Sequence, residues 1–543
     1  MILRKPYGCP ASLPRLFAVH SCQFHTSNIP PESTPCSKTQ PISVSPPASP
    51  NSTPTNIPQA TKETSKPSST PPSASDNESL SPICPSNTTP RRLLFRIDLR
   101  ILPLVCALYL LAFLDRVNIA NARAFGLESD LSLTGVQFNT ALTIFFIPYI
   151  LFEIPSNMLL KRLSPRLYLS GCCFGFGLVT TLQGFCTSYG GLLAARFFLG
   201  LFECGMVPGC FYLIGMWYRR SEAQTRFSLF FASTALAGAF GGLLASAIGK
   251  MDGVRGYLGW RWIFILEGLL TCVVALGFVL VFPDFVESAK WLTPEERTYI
   301  QARLAADQGP PAAERKITFA DVKKVMSDYK VWFGGLIYFA LVVPAYGYAF
   351  FSPTILLTYR YTSIETQLRS VPPYAAAFGF SMLVAVISDR IRHRVSFVVA
   401  GMFISIAGLA ILYNIHDRID TQYGALFLVA GGLYAAMPVA VCWFNMNLLG
   451  HHRRSIGVAW QVGFGNIGGI ISTYSFLRQD APLFRNGYII CFSFLCLGLV
   501  STGAYTAALW WENKKRDKLE RVEVTEEERK ELGDLNPEFR YMY

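Results

Sequence analysis

Charge is scarce in this sequence: Asp, Glu, Lys and Arg supply 15% of its 543 residues, against about 25% in soluble domains. The deficit runs along the whole chain, which argues against an ordinary soluble globular protein. Familiar catalytic signatures are missing as well. There is no nucleophile elbow, no HExxH and no phosphate-binding glycine loop, so the sequence does not read as an enzyme and implies no cofactor. Fourteen cysteines are present but scattered, many inside apolar stretches (Cys106, Cys172, Cys173, Cys272, Cys442, Cys491), and none shows paired metal-ligand spacing. They read as small core residues, with no metal site and no disulfide framework.

Hydrophobicity is what the chain has instead: 51% of residues are apolar and the mean hydropathy is +0.32. Apolar runs of roughly twenty residues recur from about 98 onward, the length a helix needs to cross a bilayer. Twelve spans are expected, at 98–120, 137–158, 167–187, 191–216, 226–249 and 260–282, then at 330–353, 372–391, 395–414, 423–448, 455–477 and 486–510. The fold class is thus an all-α membrane protein of two six-helix halves, at 91–283 and 329–511, joined by a polar linker at 284–328. A 512–543 tail follows. In the linker, WLTPEERTYIQARLAAD supplies Thr293 as cap, Pro294 at the first helical position and Glu296 to close a capping box. Its short helix reads as a spacer or as a regulatory element.

A net charge of +12 would suggest a nucleic-acid partner in a soluble protein. Here the basic residues gather in short loops between spans: KRLSPR (161–166), YRRSEAQTR (218–226), DRIRHR (389–394) and HHRR (451–454), with Arg91, Arg92, Arg96 and Arg100 before the first span and NKKRDK (513–518) after the last. All fall on one side, so both termini and the linker are expected in the cytoplasm, and no nucleic acid is expected as partner. Residues 1–90 are Pro/Ser/Thr-rich and read as a disordered cytoplasmic tail. Arg4, Lys5 and Arg15 without an acid in the first 27 residues also fit a mitochondrial presequence. Asn51 and Asn87 lie in glycosylation sequons that matter only if the tail is lumenal.

The loops after spans two and eight, NMLLKRLSPR and AVISDRIRHR, occupy matching places in the two halves. The second fits G-x-x-x-D-R-x-G-R-R in Asp389, Arg390 and Arg394; the first has Lys161 where the acid belongs. This internal repeat resembles the major facilitator superfamily. DRVNIANA (115–122), PSNMLLKRLSPR (155–166), ARFFLGLFECGMVPG (195–209), AGAFGGLLA (237–245), GWRWIFILEGLLT (259–271), GFGNIGGI (463–470) and NPEFRYM (536–542), in that order, resemble the fungal allantoate and nicotinate permease group of the anion:cation symporters.

Several charges lie where the apolar runs should continue. A charge at the bilayer centre costs about 2.5 to 3.5 kcal/mol on insertion scales, so such residues normally face a cavity and mark a pathway. Span one carries Asp115, Arg116 and Asn118. On span four Arg196, Gly200 and Glu203 fall within about 60° of one another at helical period, so a cation, a gap and an acid share one face. Gly205, Pro208 and Gly209 should bend that helix. Arginine keeps its charge and presents a fork that matches a carboxylate, which makes Arg116 and Arg196 the candidate anion clamps. Burial makes a carboxylate hold a proton and a neighbouring arginine makes it let go, so Glu203 and Asp115 are the candidate proton-coupling acids. The resemblance to galactonate and sialic-acid members of the symporter family implies the same division of roles.

Other readings accompany each residue. Asp115 and Arg116 also fit an interfacial ion pair, and Arg196 also fits a side chain snorkelling to the interface. Glu153 reads as a gating or structural acid paired with basic loop residues, and Glu267 as a structural partner of Arg261. Asn466 fits either close packing or a substrate hydrogen bond; Tyr338, Tyr346 and Tyr348 fit either cavity lining or packing. AGAFGGLLA reads as close helix approach. Lys161, Arg162, Asp389 and Arg390 are the candidate gating residues.

The sequence therefore points to a secondary transporter, expected to be a monomeric, proton-coupled symporter for a small organic carboxylate (nicotinate or a related vitamin or nitrogen-source acid) working by alternating access in a fungal plasma membrane. Its expected partners are the carboxylate substrate, protons and the lipid bilayer. Two other readings stand beside it: a proton-driven exporter of a secondary metabolite and a non-transporting nutrient sensor.

Overall fold

A computed structural model describes residues 88–283, 285–308, 318–391, 393–448, 451–518, 536 and 539–543. The tail up to residue 87, with both sequons and the presequence-like stretch, lies outside them. The described chain is helical, without a strand: α1 (Pro90–Ala124), α2 (Leu127–Asp130), α3 (Gln137–Arg162), α4 (Pro165–Gln183), α5 (Tyr189–Glu203), α6 (Met206–Trp217), α7 (Arg220–Ile248), α8 (Gly259–Val281), α9 (Pro294–Gln308), α10 (Phe319–Met326), α11 (Tyr329–Leu357), α12 (Ser363–Ile391), α13 (Arg394–Asn414), α14 (Ile419–Met446), α15 (His451–Thr473) and α16 (Arg485–Asp517).

Helix starts follow from local chemistry. Thr89, Ser164, Ser188 and Asp328 each accept a backbone N–H from the first turn, and proline follows at once in α1 and α4. Span four is interrupted at Cys204 and Gly205, so that α5 and α6 are two helices of one crossing. Counting that crossing once, ten helices among the described residues are long and apolar enough to span a membrane. Less apolar are α4, which packs along α8 and α5, and α15, which opens on His451–His452–Arg453–Arg454 and carries Gln461 and Asn466.

Glycines set the closest crossings. A Cβ on Gly268 of α8 would lie 2.8 Å from the Gly177 carbonyl oxygen of α4, and one on Gly177 would lie 2.8 Å from Thr271 Cγ2. In AGAFGGLLA, Gly238 faces the Tyr374 ring and Gly242 faces Ser370 and the Gln367 carbonyl of α12, the close approach expected of that stretch. The two halves also touch at both ends of the bundle. At the basic end Thr225 donates to Asp389 (2.7 Å). At the far end Asn139 donates to the Thr473 carbonyl (2.5 Å), Ser363 to the Ala124 carbonyl (2.7 Å), and Glu128 receives both Arg123 (2.8 Å) and Arg478 (3.6 Å).

The linker forms the expected capping box: Glu296 N–H donates to Thr293 Oγ1 (3.2 Å) and Thr293 N–H to Glu296 Oε2 (3.1 Å). Arg96 of α1 binds the same Glu296 (2.7 Å), which ties α9 to the first half. Helix α10, with its own box of Thr318 and Asp321, was not anticipated from sequence.

The closing residues dock rather than trail. Tyr541 Oη accepts from Lys330 (2.7 Å) and Arg516 (3.1 Å), and its backbone is bracketed by Asn513. Met542 pairs with Asn447 and accepts from the Trp443 indole (2.8 Å), and the Arg394 backbone N–H donates to the Tyr543 oxygen (2.9 Å). One short strap thus joins α11, α13, α14 and α16. Tyr541→Ala is expected to cost about 3 kcal/mol, for a large buried ring and its hydrogen bonds; a melt of the purified protein with unchanged Tm would show that the strap carries no stability.

Candidate functional site

Residues Leu111–Ala122 of α1 are buried on every side, because α4, α7, α8 and α11 surround that stretch. Asp115 and Arg116 are neighbours in sequence, yet the helical turn sends them to different partners. They do not pair with each other. Arg116 donates through Nη2 to Glu203 Oε1 and through Nη1 to Tyr346 Oη. Its guanidinium also faces the rings of Phe145 (4.9 Å), Tyr149 (5.1 Å) and Tyr346 (5.8 Å). Arg116 is 3% exposed and Glu203 is fully buried. An ion pair this dry is maintained only by good geometry and additional hydrogen bonds.

On α5 the face of Arg196, Gly200 and Glu203 is buried as the helical period requires. The gap at Gly200 is filled: a Cβ there would run into the Phe145 backbone carbonyl oxygen of α3. Arg196 does not snorkel to an interface. It is 1% exposed and donates Nη1 to the Arg116 backbone oxygen (3.1 Å), while Nε and Nη2 have no partner. Glu203 Oε2 is likewise unpaired. Buried donors and an acceptor left open within one charged cluster are what a carboxylate and a proton would satisfy.

Asn118 faces away from this pair. Its Nδ2 donates to Glu267 Oε2 (2.5 Å) and its Oδ1 accepts from Asn121 (3.2 Å). The expected pair of Glu267 with Arg261 is therefore corrected: Arg261, near the far end of α8, binds Asp130 (2.8 Å) instead. Asp115 accepts no hydrogen bond. Glu153 is corrected as well: no basic loop residue among those described reaches it, both of its oxygens are buried without a partner, and Gly463 of α15 faces it. A cavity with room for about one water lies beside Asn118 and Asn121, against Gly238, Gly241, Ser370 and Tyr374.

From the second half Tyr346 enters the site, whereas Tyr338 packs on Gly465 and Tyr348 on Tyr374. Asn466 is buried, but its amide is not hydrogen bonded to Arg116, Arg196 or Glu203. Of the gating residues, Asp389 contacts Thr225 of the opposite half and Arg394 (3.4 Å), and Arg390 is exposed. The side chains of Lys161 and Arg162 lie outside the described residues. Phe145 and Tyr149 escaped the sequence reading; their spacing of four on span two, opposite an arginine, was the available signal.

Membrane-length helices enclosing a buried arginine–carboxylate pair of one half, reached by a tyrosine of the other, are the build of a membrane transporter. A family model described as "Major Facilitator Superfamily" matches residues 105–473, and the chain belongs to that superfamily. It is a transporter, not an enzyme. An MFS-type transporter, cnsO, of Penicillium expansum is 32% identical over 483 residues, covering 84% of this chain and 91% of that protein. An uncharacterized transporter of Schizosaccharomyces pombe is 34% identical over 403 residues, covering 73% and 81%. Among solved structures, a bacterial homolog of the human lysosomal transporter Spinster, inward-facing and occupied, shares the fold with a TM-score of 0.57 at 15% identity, over 75% of this chain and 96% of that one.

Proposed function

We propose that this protein is a monomeric proton-coupled symporter that brings a small organic carboxylate into a fungal cell by alternating access. The observation that carries the reading is the position of Arg116, held by Glu203 of the first half and Tyr346 of the second. Protonating Glu203 removes its charge from Arg116 and frees the guanidinium for a cargo anion, with the two open nitrogens of Arg196 as the second anchor. Binding then changes the contact that joins the halves, and a neutralised site allows them to rock. Asp389 with Thr225 acts as a latch at the cytoplasmic face. Helices α4 and α15 complete twelve spans, the basic loops keep both termini cytoplasmic, and the plasma membrane is the site of action. Resemblance of the quoted motifs to the allantoate and nicotinate permease group favours nicotinate or a related vitamin or nitrogen-source acid as cargo.

The test is uptake of labelled nicotinate, pantothenate, biotin, allantoate and simple monocarboxylates by yeast lacking its own permeases, at acidic and neutral external pH. One acid taken up faster as pH falls is the expected result. In Glu203→Gln net uptake is expected to fall at least about thirtyfold, the kinetic equivalent of roughly 2 kcal/mol at a buried charge. A surface-localised wild type that takes up none of the panel rejects import and turns the reading to export or sensing.

A further inference from the structure

The mechanism above leaves Glu267 without a task, although its carboxylate is 1% exposed inside α8. The crossing of α4 on α8 at Gly177 and Gly268 explains its surroundings, since it turns Thr180 and Thr271 toward α1. Asp115 lies beside both hydroxyls, and Glu267 is bound through Asn118, one turn beyond Asp115 on the same helix. Three oxygens of the two acids, Asp115 Oδ1, Asp115 Oδ2 and Glu267 Oε1, accept nothing, and Thr180 Oγ1, also 1% exposed, is unpartnered.

One cation, Arg196, faces this cluster, and it makes no hydrogen bond to either acid. The charged groups that face Asp115 are Glu267 from α8 and Glu203 and Arg196 from α5, with the thiols of Cys173 on α4 and Cys272 on α8 nearby. Arg116, its neighbour in sequence, is engaged by Glu203 and Tyr346, and the hydrogen bond made by Arg196 goes to a backbone oxygen. Two carboxylates in one dry site, with no hydrogen bond from a cation, are costly to charge together, and a shared proton relieves that cost. Thr271 Oγ1 donates to the Glu267 backbone oxygen (3.0 Å), so the open Thr180 hydroxyl and the single Asn118 amide N–H are the donors left to a pair that shares protons.

Resting on the proton-coupled reading and extending it, we propose that Asp115 and Glu267 form one proton-holding pair between α1 and α8, distinct from the Arg116–Glu203 anion clamp. Glu267 thereby becomes a proton-coupling residue, and Asn118 the residue that positions it. The pair loads and unloads while the clamp deals with the anion, and α1, which carries Asp115, Arg116 and Asn118, links the two events.

The test needs no cargo. Infrared difference spectra of the purified full chain in liposomes are recorded across a pH titration, in choline and in sodium buffers, for wild type, Asp115→Asn and Glu267→Gln. A protonated-carboxyl band is expected in wild type, reduced in each variant, with the titration midpoint of the remaining acid moved by about one pH unit or more, as coupled sites require. Asn118→Ala, which keeps both acids and removes the amide that binds Glu267, is expected to move the same midpoint and serves if Glu267→Gln does not fold. A midpoint of Asp115 that is the same in wild type, Glu267→Gln and Asn118→Ala overturns the pair. So does loss of the wild-type band on exchanging choline for sodium, which would make the cluster a metal-cation site. Failure of the uptake panel leaves this readout untouched, and the pair can fail while uptake stands.

Discussion

Arg116→Ala is expected to abolish uptake and to destabilise the protein by about 3–5 kcal/mol, the cost of leaving a buried partner charge uncompensated. Glu203, fully buried, would keep its carboxylate with no donor from Arg116, and Tyr346 would lose the bond that links it to the first half. The two losses separate in a double variant. Arg116→Gln with Glu203→Gln removes both charges together, and stability should return to within about 1–2 kcal/mol of wild type, because buried pairs exchanged for neutral groups often cost little. Transport should not return, since no fork remains to hold an anion. Arg116→Lys should also fail: a point charge cannot reach Glu203 and Tyr346 at once as the planar guanidinium does. Melts of the purified proteins beside uptake in cells decide the matter. Uptake by the double variant would reduce the pair to a structural strut.

The charged part of this site was legible because each charge interrupts an apolar run and helical period alone groups Arg196 with Glu203. Fold class was legible from the length and recurrence of those runs. What stayed hidden was which helix answers each charge. Glu267 and Arg261 are six residues apart, about 120° around α8, so they cannot meet, and their actual partners lie at Asn118 and Asp130. For Glu153 the sequence offered basic loops nearby, whereas helix packing turns it toward Gly463 of α15. The strap at Tyr541 was visible only as the motif NPEFRYM; its anchor Lys330 is 211 residues away along the chain, a distance no local pattern spans. Tyr346 stood among three tyrosines of span seven, and only the pose of α1 singles it out.

Gly200→Ala, the addition of a single carbon, is expected to cost about 3 kcal/mol or more and to reduce uptake at least tenfold, beyond the usual penalty of an overpacked core. The new Cβ would meet the Phe145 backbone oxygen, and Pro148 Cγ at 3.1 Å. A side chain can rotate away from such a clash; a backbone oxygen within a helix cannot, so α3 itself must move off α5. That movement carries Phe145 and Tyr149, the two rings of α3 that face the Arg116 guanidinium, away from the clamp. Stability and transport should therefore fall together, although no charged group has been changed. Surface-expressed Gly200→Ala with wild-type Tm and uptake would mean that α3 and α5 need not touch here, and that the rings of α3 play no part in holding Arg116 ready for its anion.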